Sequence, residues 1–418
     1  MKKIFQDRFF RSTAVFFVGS MAAAFLNYLY HPILSRMMSI EDFGEMEALI
    51  SLSILIGIIS GVFSSIAIHT RANSEKHEDS VAILRYLQKI ALVIMIVLFL
   101  LTLVFAEALQ KDMKFVSPYP FVVLMLLLVT GVYFTFRSAW LQGKEDFKSA
   151  SWAGIIGSAS KLVISVLLVY AGFRTLGAIG GMLLAQLVAL IYIWNKTKDF
   201  SASSRVLSRQ EKKDLLWHHS KYGLLILLST GCIAFLYTFD VVVVKHYFSP
   251  VTAGLYSGVA TIARIIFFAT GAVSAVLFPA IKIRSSFQEN SKFLFKTILI
   301  VLILGGCAFF AFILFPDLLI TILIGRKYLA LSSLMPALSI LMLLVSIANV
   351  LILFFMAIKN YALIYISIIP VIFVLILINF RHGNLMDIVV NFILGAILAN
   401  ILLISLYVKN HIRHRSGL

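Results

Sequence analysis

Residues 239–281 read FDVVVVKHYFSPVTAGLYSGVATIARIIFFATGAVSAVLFPAI, and only Asp240, Lys245 and Arg264 among them are charged. On both sides of the short HYFSP break, the apolar residues follow one another without the alternation of a barrel strand. About 20 mostly apolar residues span a bilayer as a helix. The stretch therefore completes one spanning run, 222–245, and contains the whole of a second, 253–281.

The same pattern recurs along the chain. Twelve runs are long and apolar enough to span: 12–35, 45–68, 86–107, 119–140, 151–171, 177–195, 222–245, 253–281, 293–316, 333–357, 361–380 and 387–408. Composition agrees. The 418 residues are 61% hydrophobic and 13% charged, against about 25% charged in an average soluble domain. A soluble fold of this length could not hide so much apolar surface. Low charge and 13% aromatic residues also exclude a disordered chain. The expected fold class is an all-α membrane protein of about twelve transmembrane helices. The basic start, MKKIFQDRFFR, runs into an apolar stretch too long for a signal peptide core, so an uncleaved first helix is expected.

The net charge is +17. In a soluble protein that would suggest nucleic acid, but in this chain the basic residues follow membrane topology. With the N-terminus cytoplasmic, 26 of the 36 Lys and Arg residues fall in inside segments, 8 fall outside, and Lys161 and Arg264 remain within the membrane. The positive-inside rule then puts both termini in the cytoplasm and brings anionic lipids against the cytoplasmic face. Nucleic acid is not an expected partner. Cys232 and Cys307 lie inside apolar runs, which argues against a disulfide or a metal site.

Every outside loop is short. The longest polar stretch, 196–221, lies inside and divides residues 1–195 from residues 222–418, six runs on each side. Its second part, SRQEKKDLLWHHSKY, is either an amphipathic surface helix or an ordinary basic loop. A shift of 210 residues superposes LSRMMSIEDFGEMEAL (Leu34–Leu49) on VKHYFSPVTAGLYSGV (Val244–Val259), aligning Ser39 with Ser249 and Gly44 with Gly254. No gap is needed as far as Ser64 and Ser274. Two six-helix halves in the same orientation form a parallel repeat, an architecture of transporters with a midplane site between the repeats.

No phosphate-binding loop, metal-spaced cluster or nucleophile elbow is present in the sequence. No long outside loop carries catalytic polar residues. No cofactor and no enzyme activity are expected. Movement of a solute is the stronger expectation, a membrane polymerase or glycosyltransferase the weaker alternative, and a purely structural role with no transport of its own a third.

Lys161 and Arg264 each lie about 11 residues into a run, or about 16 Å deep in a core of about 30 Å. A charge at that depth costs at least about 2.5–3.5 kcal/mol and should face water or a partner. With one such cation in each half, a central cationic cavity suited to a diphosphate or acidic sugar is expected. The alternative is an internal ion pair with Asp240, taken as the one unpaired acid at membrane depth. Asn27 and His31, beside Pro32 in the first run, and Tyr237 with Asp240 in the seventh, are candidate gate or sugar-contacting residues. The alternative for them is hydrogen bonding between packed helices, which is preferred for Gln186, Asn349, Asn391 and Asn400. Arg137 is an interface anchor or a receptor for lipid phosphate. The glycines of the fifth and sixth runs suit close helix packing.

At this point the chain resembles a known family. The stretch 239–281, LYHPILSRMMSIEDFGEMEALIS (Leu29–Ser51), WLQGKEDF (Trp140–Phe147) and ILIGRKYLALSSLMPALSIL (Ile322–Leu341) look like the corresponding segments of Wzx-type oligosaccharide-lipid flippases. These belong to the MOP superfamily, whose members include the MATE transporters. The resemblance implies a MATE-like V of two six-helix bundles around a central cavity. It implies transfer of undecaprenyl-diphosphate-linked oligosaccharide from the cytoplasmic to the outer leaflet of a bacterial or archaeal cytoplasmic membrane. It further implies alternating access powered by an ion gradient (H+ or Na+) or the membrane potential, and a polysaccharide polymerase and chain-length proteins as partners. Lipid II flippases look similar but typically have fourteen helices. Drug-extruding MATE antiporters have twelve, but usually keep membrane carboxylates for cation coupling.

Overall fold

The computed structural model describes residues 2–73, 77–201, 205–281 and 287–415. Lys76, Lys282 and Arg284, counted above among the inside cations, lie outside them. The described chain is helical without strands, and forms two compact units, Met1–Gly223 and Leu224–Leu418.

The first unit holds α1 (Lys2–Met37), α2 (Ile40–Asn73), α3 (His77–Asp112), α4 (Tyr119–Gly143), α5 (Phe147–Leu168) and α6 (Arg174–Lys196). α7 (Arg209–Tyr247) begins in it and continues into the second unit. That unit adds α8 (Pro250–Ala280), α9 (Phe287–Leu314), the short α10 (Pro316–Leu323), α11 (Met335–Ala357), α12 (Leu363–Phe380) and α13 (Leu385–Arg415). Twelve of these thirteen helices have 18 or more residues, one for each apolar run. By length and composition, ten helical segments qualify as membrane spans, and one of the ten is the 50-residue stretch Phe147–Lys196 that contains both α5 and α6.

Three local features differ from the sequence expectation. α5 and α6 are joined by a single π-type turn, Val169–Phe173, with no separate loop. Gly172 makes the reversal at φ +91°, a conformation open to residues without Cβ. Arg174 follows at φ +49° and is held there by an ion pair from its Nε to Asp42 at 2.9 Å. Second, residues 209–221 form neither a separate surface helix nor a loop. They are the first turns of α7, opened by a reciprocal cap: Ser208 Oγ accepts from the Glu211 amide at 3.2 Å, and Glu211 Oε2 accepts from the Ser208 amide at 2.7 Å. Third, the segment after α9, expected to be a short loop, folds into α10 and the 3-10 turns Arg326–Leu334. Ile320 and Tyr328 are fully buried there, and the Tyr328 ring lies against Gly258, where only glycine leaves it room.

Apolar side chains cover the outside of the helices as well as the inside. Along α3, Val97, Leu100 and Val104 are half to three-quarters exposed, as expected of surfaces solvated by lipid. With no water to expel between helices, close packing and polar contacts hold the bundle. α5 packs most extensively on α6 and α1. Gly181 brings α6 so near α5 that an added Cβ would lie 2.2 Å from Ser165 Oγ and 2.5 Å from its Cα. At one end of the first unit, buried acids tie α2 to its neighbours: Glu45 accepts from the Val116 amide at 2.8 Å and from Thr175 Oγ1 at 2.9 Å.

The corners α1–α2 and α7–α8 match residue for residue in the 210-residue register. Ser39 Oγ accepts from the Asp42 amide at 3.1 Å, and Ser249 Oγ from the Thr252 amide at 3.2 Å. The carbonyls of Ser39 and Ser249 accept from Phe43 and Ala253, and those of Leu34 and Val244 from Met38 and Phe248. A serine N-cap thus starts the second helix of each pair.

Candidate functional site

Five helices of the first unit line an open cavity of about 470 Å³. The lining residues recur at helical spacing, so each helix presents one face. α2 contributes Ser53, Gly57 and Ser60; α5 contributes Gly154, Gly157, Ser158 and Lys161. Asn27 comes from α1, Gly131, Phe134 and Thr135 from α4, and Gln186 from α6. Small side chains make the volume. At Gly57 an added Cβ would meet nothing within 4 Å, whereas at Gly157 it would lie 3.3 Å from Ala189 Cβ.

Lys161 is the one charged residue in the lining. Among the described residues no carboxylate forms an ion pair with it. Its Nζ lies 4.3 Å from the centroid of the Tyr30 ring, a cation–π contact worth up to about 2 kcal/mol when desolvated. Tyr30 is fully buried, and its hydroxyl donates to the Ala178 carbonyl at 3.0 Å. The ring is therefore a fixed support beneath the ammonium. Asn27 Nδ2 donates to Ser158 Oγ at 2.8 Å. Gln186 Nε2 donates to the Leu127 carbonyl at 2.8 Å and Thr130 Oγ1 at 2.9 Å. Gln186 is thus a helix-packing residue, as preferred from the sequence, and a cavity wall at once.

The remaining candidates lie elsewhere. His31 Nδ1 is 2.5 Å from Glu47 Oε1, with Glu47 fully buried on α2. Asp240 is therefore not the one buried acid on an apolar run: Glu45 and Glu47, at the start of the second run, are buried too. Arg137 is 3% exposed. Its Nη1 donates to the Thr197 carbonyl at 3.1 Å and hydroxyl at 2.6 Å, and its guanidinium lies 3.5 Å from the Trp194 ring centroid. That is the geometry of an anchor between α4 and the end of α6; Arg137 does not line the cavity.

In the second unit Arg264, Asp240 and Tyr237 do come together. Arg264 Nη2 is 3.1 Å from Asp240 Oδ1, and Arg264 Nε donates to the Tyr237 carbonyl at 2.9 Å. Tyr256 donates to Asp240 Oδ2 at 2.8 Å. Asp240 is fully buried and Arg264 is 4% exposed. Arg264 is thus half of a buried ion pair, the alternative weighed for it, and not an open cation. The Tyr237 ring stacks on Phe267 with centroids 4.4 Å apart.

Sequence reasoning found Lys161 and Asn27 but missed Ser53, Gly57 and Ser60. Their i, i+4, i+7 spacing of small residues in an otherwise bulky apolar run was the available signal.

The fold has solved relatives. An inward-facing multidrug resistance MATE family transporter of the MOP superfamily superposes with a TM-score of 0.69 at 17% identity, over 94% of each chain. An outward-facing one gives 0.63 at 17% identity, over 97% of this chain and 96% of the other. A MOP superfamily transporter from Pyrococcus furiosus, described as having a binding pocket of reverse polarity, gives 0.58 at 15% identity, over 97% and 96%. No curated protein sequence matches the chain. The helices and these likenesses define a multi-pass membrane protein of the MATE-like fold class. The family model for polysaccharide biosynthesis proteins matches residues 9–283, and the chain belongs to that family.

Proposed function

We propose that the protein is a flippase that moves undecaprenyl-diphosphate-linked oligosaccharide units from the cytoplasmic to the outer leaflet of a bacterial cytoplasmic membrane, for assembly of a surface polysaccharide. The observation that carries this reading is Lys161, the one charged residue in the lining of a small-residue cavity, midway along an apolar run of a chain of the polysaccharide biosynthesis family. A buried ammonium is costly unless an anion or water faces it. Lys161 would hold the anionic part of the lipid-linked head group, with Asn27 and Ser158 contacting sugar hydroxyls. Both termini are cytoplasmic in this reading, and transport proceeds by alternating access driven by an ion gradient or the membrane potential. The Arg264–Asp240 pair and the His31–Glu47 contact hold helices in place.

The test is leaflet transfer of a fluorescent undecaprenyl-diphosphate oligosaccharide by the full chain in proteoliposomes. Transfer should occur in wild type, fall at least tenfold in Lys161→Ala and recover in part in Lys161→Arg. Absence of transfer in wild type, with efflux of organic cations instead, would replace the reading with a drug antiporter.

A further inference from the structure

A lipid-linked sugar head group offers two kinds of anion, the diphosphate and any acidic sugar. The cavity's own chemistry separates them. Its lining holds one positive charge and no acid. A diphosphate ester carries about two negative charges, and phosphate sites typically surround them with several donors and cations, often a bidentate arginine. One lysine matches a single negative charge.

The other polar lining groups are neutral. Ser53, Ser60, Thr135 and Ser158 offer hydroxyls on three helices, and Asn27 and Gln186 offer amides. Asn27 and Gln186 place their N–H groups on protein acceptors, which leaves their carbonyl oxygens to accept from a ligand. Phe134 supplies an aromatic wall, and Leu127 and Leu128 an aliphatic one. A ring with hydroxyls on its edge, C–H groups on its faces and one carboxylate satisfies all of these groups. The volume of about 470 Å³ lies in the range of small-ligand sites. Gly57 keeps that volume open, because its missing Cβ would project into empty space.

We propose that this cavity is a subsite for one monoanionic sugar ring of the hexuronate type, with Lys161 pairing its carboxylate and Gly57 setting the size of ring it admits. The proposal rests on the flippase reading for its natural ligand, but binding can be measured without transport.

The experiment is thermal unfolding of the detergent-purified full chain with sodium glucuronate, glucose or sodium pyrophosphate at matched ionic strength. A ligand that binds only the folded state raises Tm by mass action, logarithmically once its concentration exceeds Kd. Glucuronate should raise Tm with concentration in that way, and more than either other probe. The shift should vanish in Lys161→Met and in Gly57→Leu, and persist in Gly61→Leu. Gly61 also faces open space but does not line the cavity. If Gly57→Leu unfolds without ligand, Ser158→Val, which removes a lining hydroxyl, takes its place and should weaken the shift. A larger shift with pyrophosphate, or an unchanged glucuronate shift in Lys161→Met, would overturn the proposal. Leaflet transfer separates the two claims. Equal transport of lipid-linked glucuronosyl and glucosyl disaccharides would end the subsite and keep the flippase. Glucuronate binding through Lys161, with neither lipid moved, would keep the subsite and end the flippase.

Discussion

Two cations at similar depth have different surroundings. Arg264 is bonded to Asp240 and to two carbonyls of α7, whereas Lys161 rests on an aromatic face in a cavity. Depth was legible in the sequence, since it follows from counting residues along a run. Pairing was not, because Asp240 and Arg264 sit on neighbouring helices 24 positions apart and only the crossing of α7 and α8 decides whether they meet. His31 and Glu47 escaped for a related reason. The difference predicts opposite responses. Removing one member of a buried pair strands the other charge, at a cost of about 3–5 kcal/mol. Asp240→Ala should therefore lower the Tm of the purified protein strongly. The double variant Asp240→Leu/Arg264→Met should recover most of the loss, because both charges leave together. Lys161→Met should leave Tm unchanged or raise it slightly. A double variant no more stable than Asp240→Ala would show that the pair is more than mutual neutralisation.

The helices themselves were the most legible level. Each of the twelve apolar runs became one long helix, because a backbone in lipid must satisfy its own hydrogen bonds. The serine corners at Ser39 and Ser249 and the S-x-x-E cap at Ser208 could be read directly. What was not legible depends on contact. α10 is too short to register as a span, and the α5–α6 turn needs Gly172 and Asp42 together. Helix packing gives the second prediction. Gly181→Ala must push against Ser165 backbone and should cost about 1–3 kcal/mol, whereas Gly57→Ala, in open space, should be close to neutral; chemical unfolding in detergent measures both. A third prediction lies at the C-terminal end of α4. Lys144 Nζ is 2.5 Å from Asp199 Oδ2, and Trp140 Nε1 donates to the same oxygen at 3.2 Å. Burial pushes the Asp199 carboxyl up, but the Lys144 hydrogen bond and charge and the Trp140 N–H outweigh it and hold the group below its ordinary value. A lowered folded pKa means the contact contributes fully above the ordinary aspartate value of about 3.9. That contribution is lost as pH falls through the lowered one. Hydrogen exchange of residues 197–201 should accelerate on that acid side in wild type, and be fast and independent of pH after correction for intrinsic rates in Asp199→Asn. Unchanged protection in Asp199→Asn would contradict a stabilising role for these contacts.

At the scale of the whole molecule, the two units repeat a corner in a 210-residue register but place different chemistry beside it. In that register Tyr30 corresponds to Asp240. In the first unit Tyr30 supports a cavity-lining cation; in the second Asp240 neutralises an arginine. The uneven distribution of Lys and Arg is a property of the sequence alone, and the orientation it predicts rests on the positive-inside rule. The cavity was only half legible, since its cation announces itself by cost while its glycines look like packing. If Lys161 holds an anionic head group during transfer, as proposed, the rate of leaflet transfer of a fluorescent undecaprenyl-diphosphate oligosaccharide in proteoliposomes must depend on it, and comparison of wild type, Lys161→Ala and Lys161→Arg tests this. Transfer should fall at least tenfold in the alanine variant and recover in part in the arginine variant. Transfer by Lys161→Ala at the wild-type rate would contradict that role.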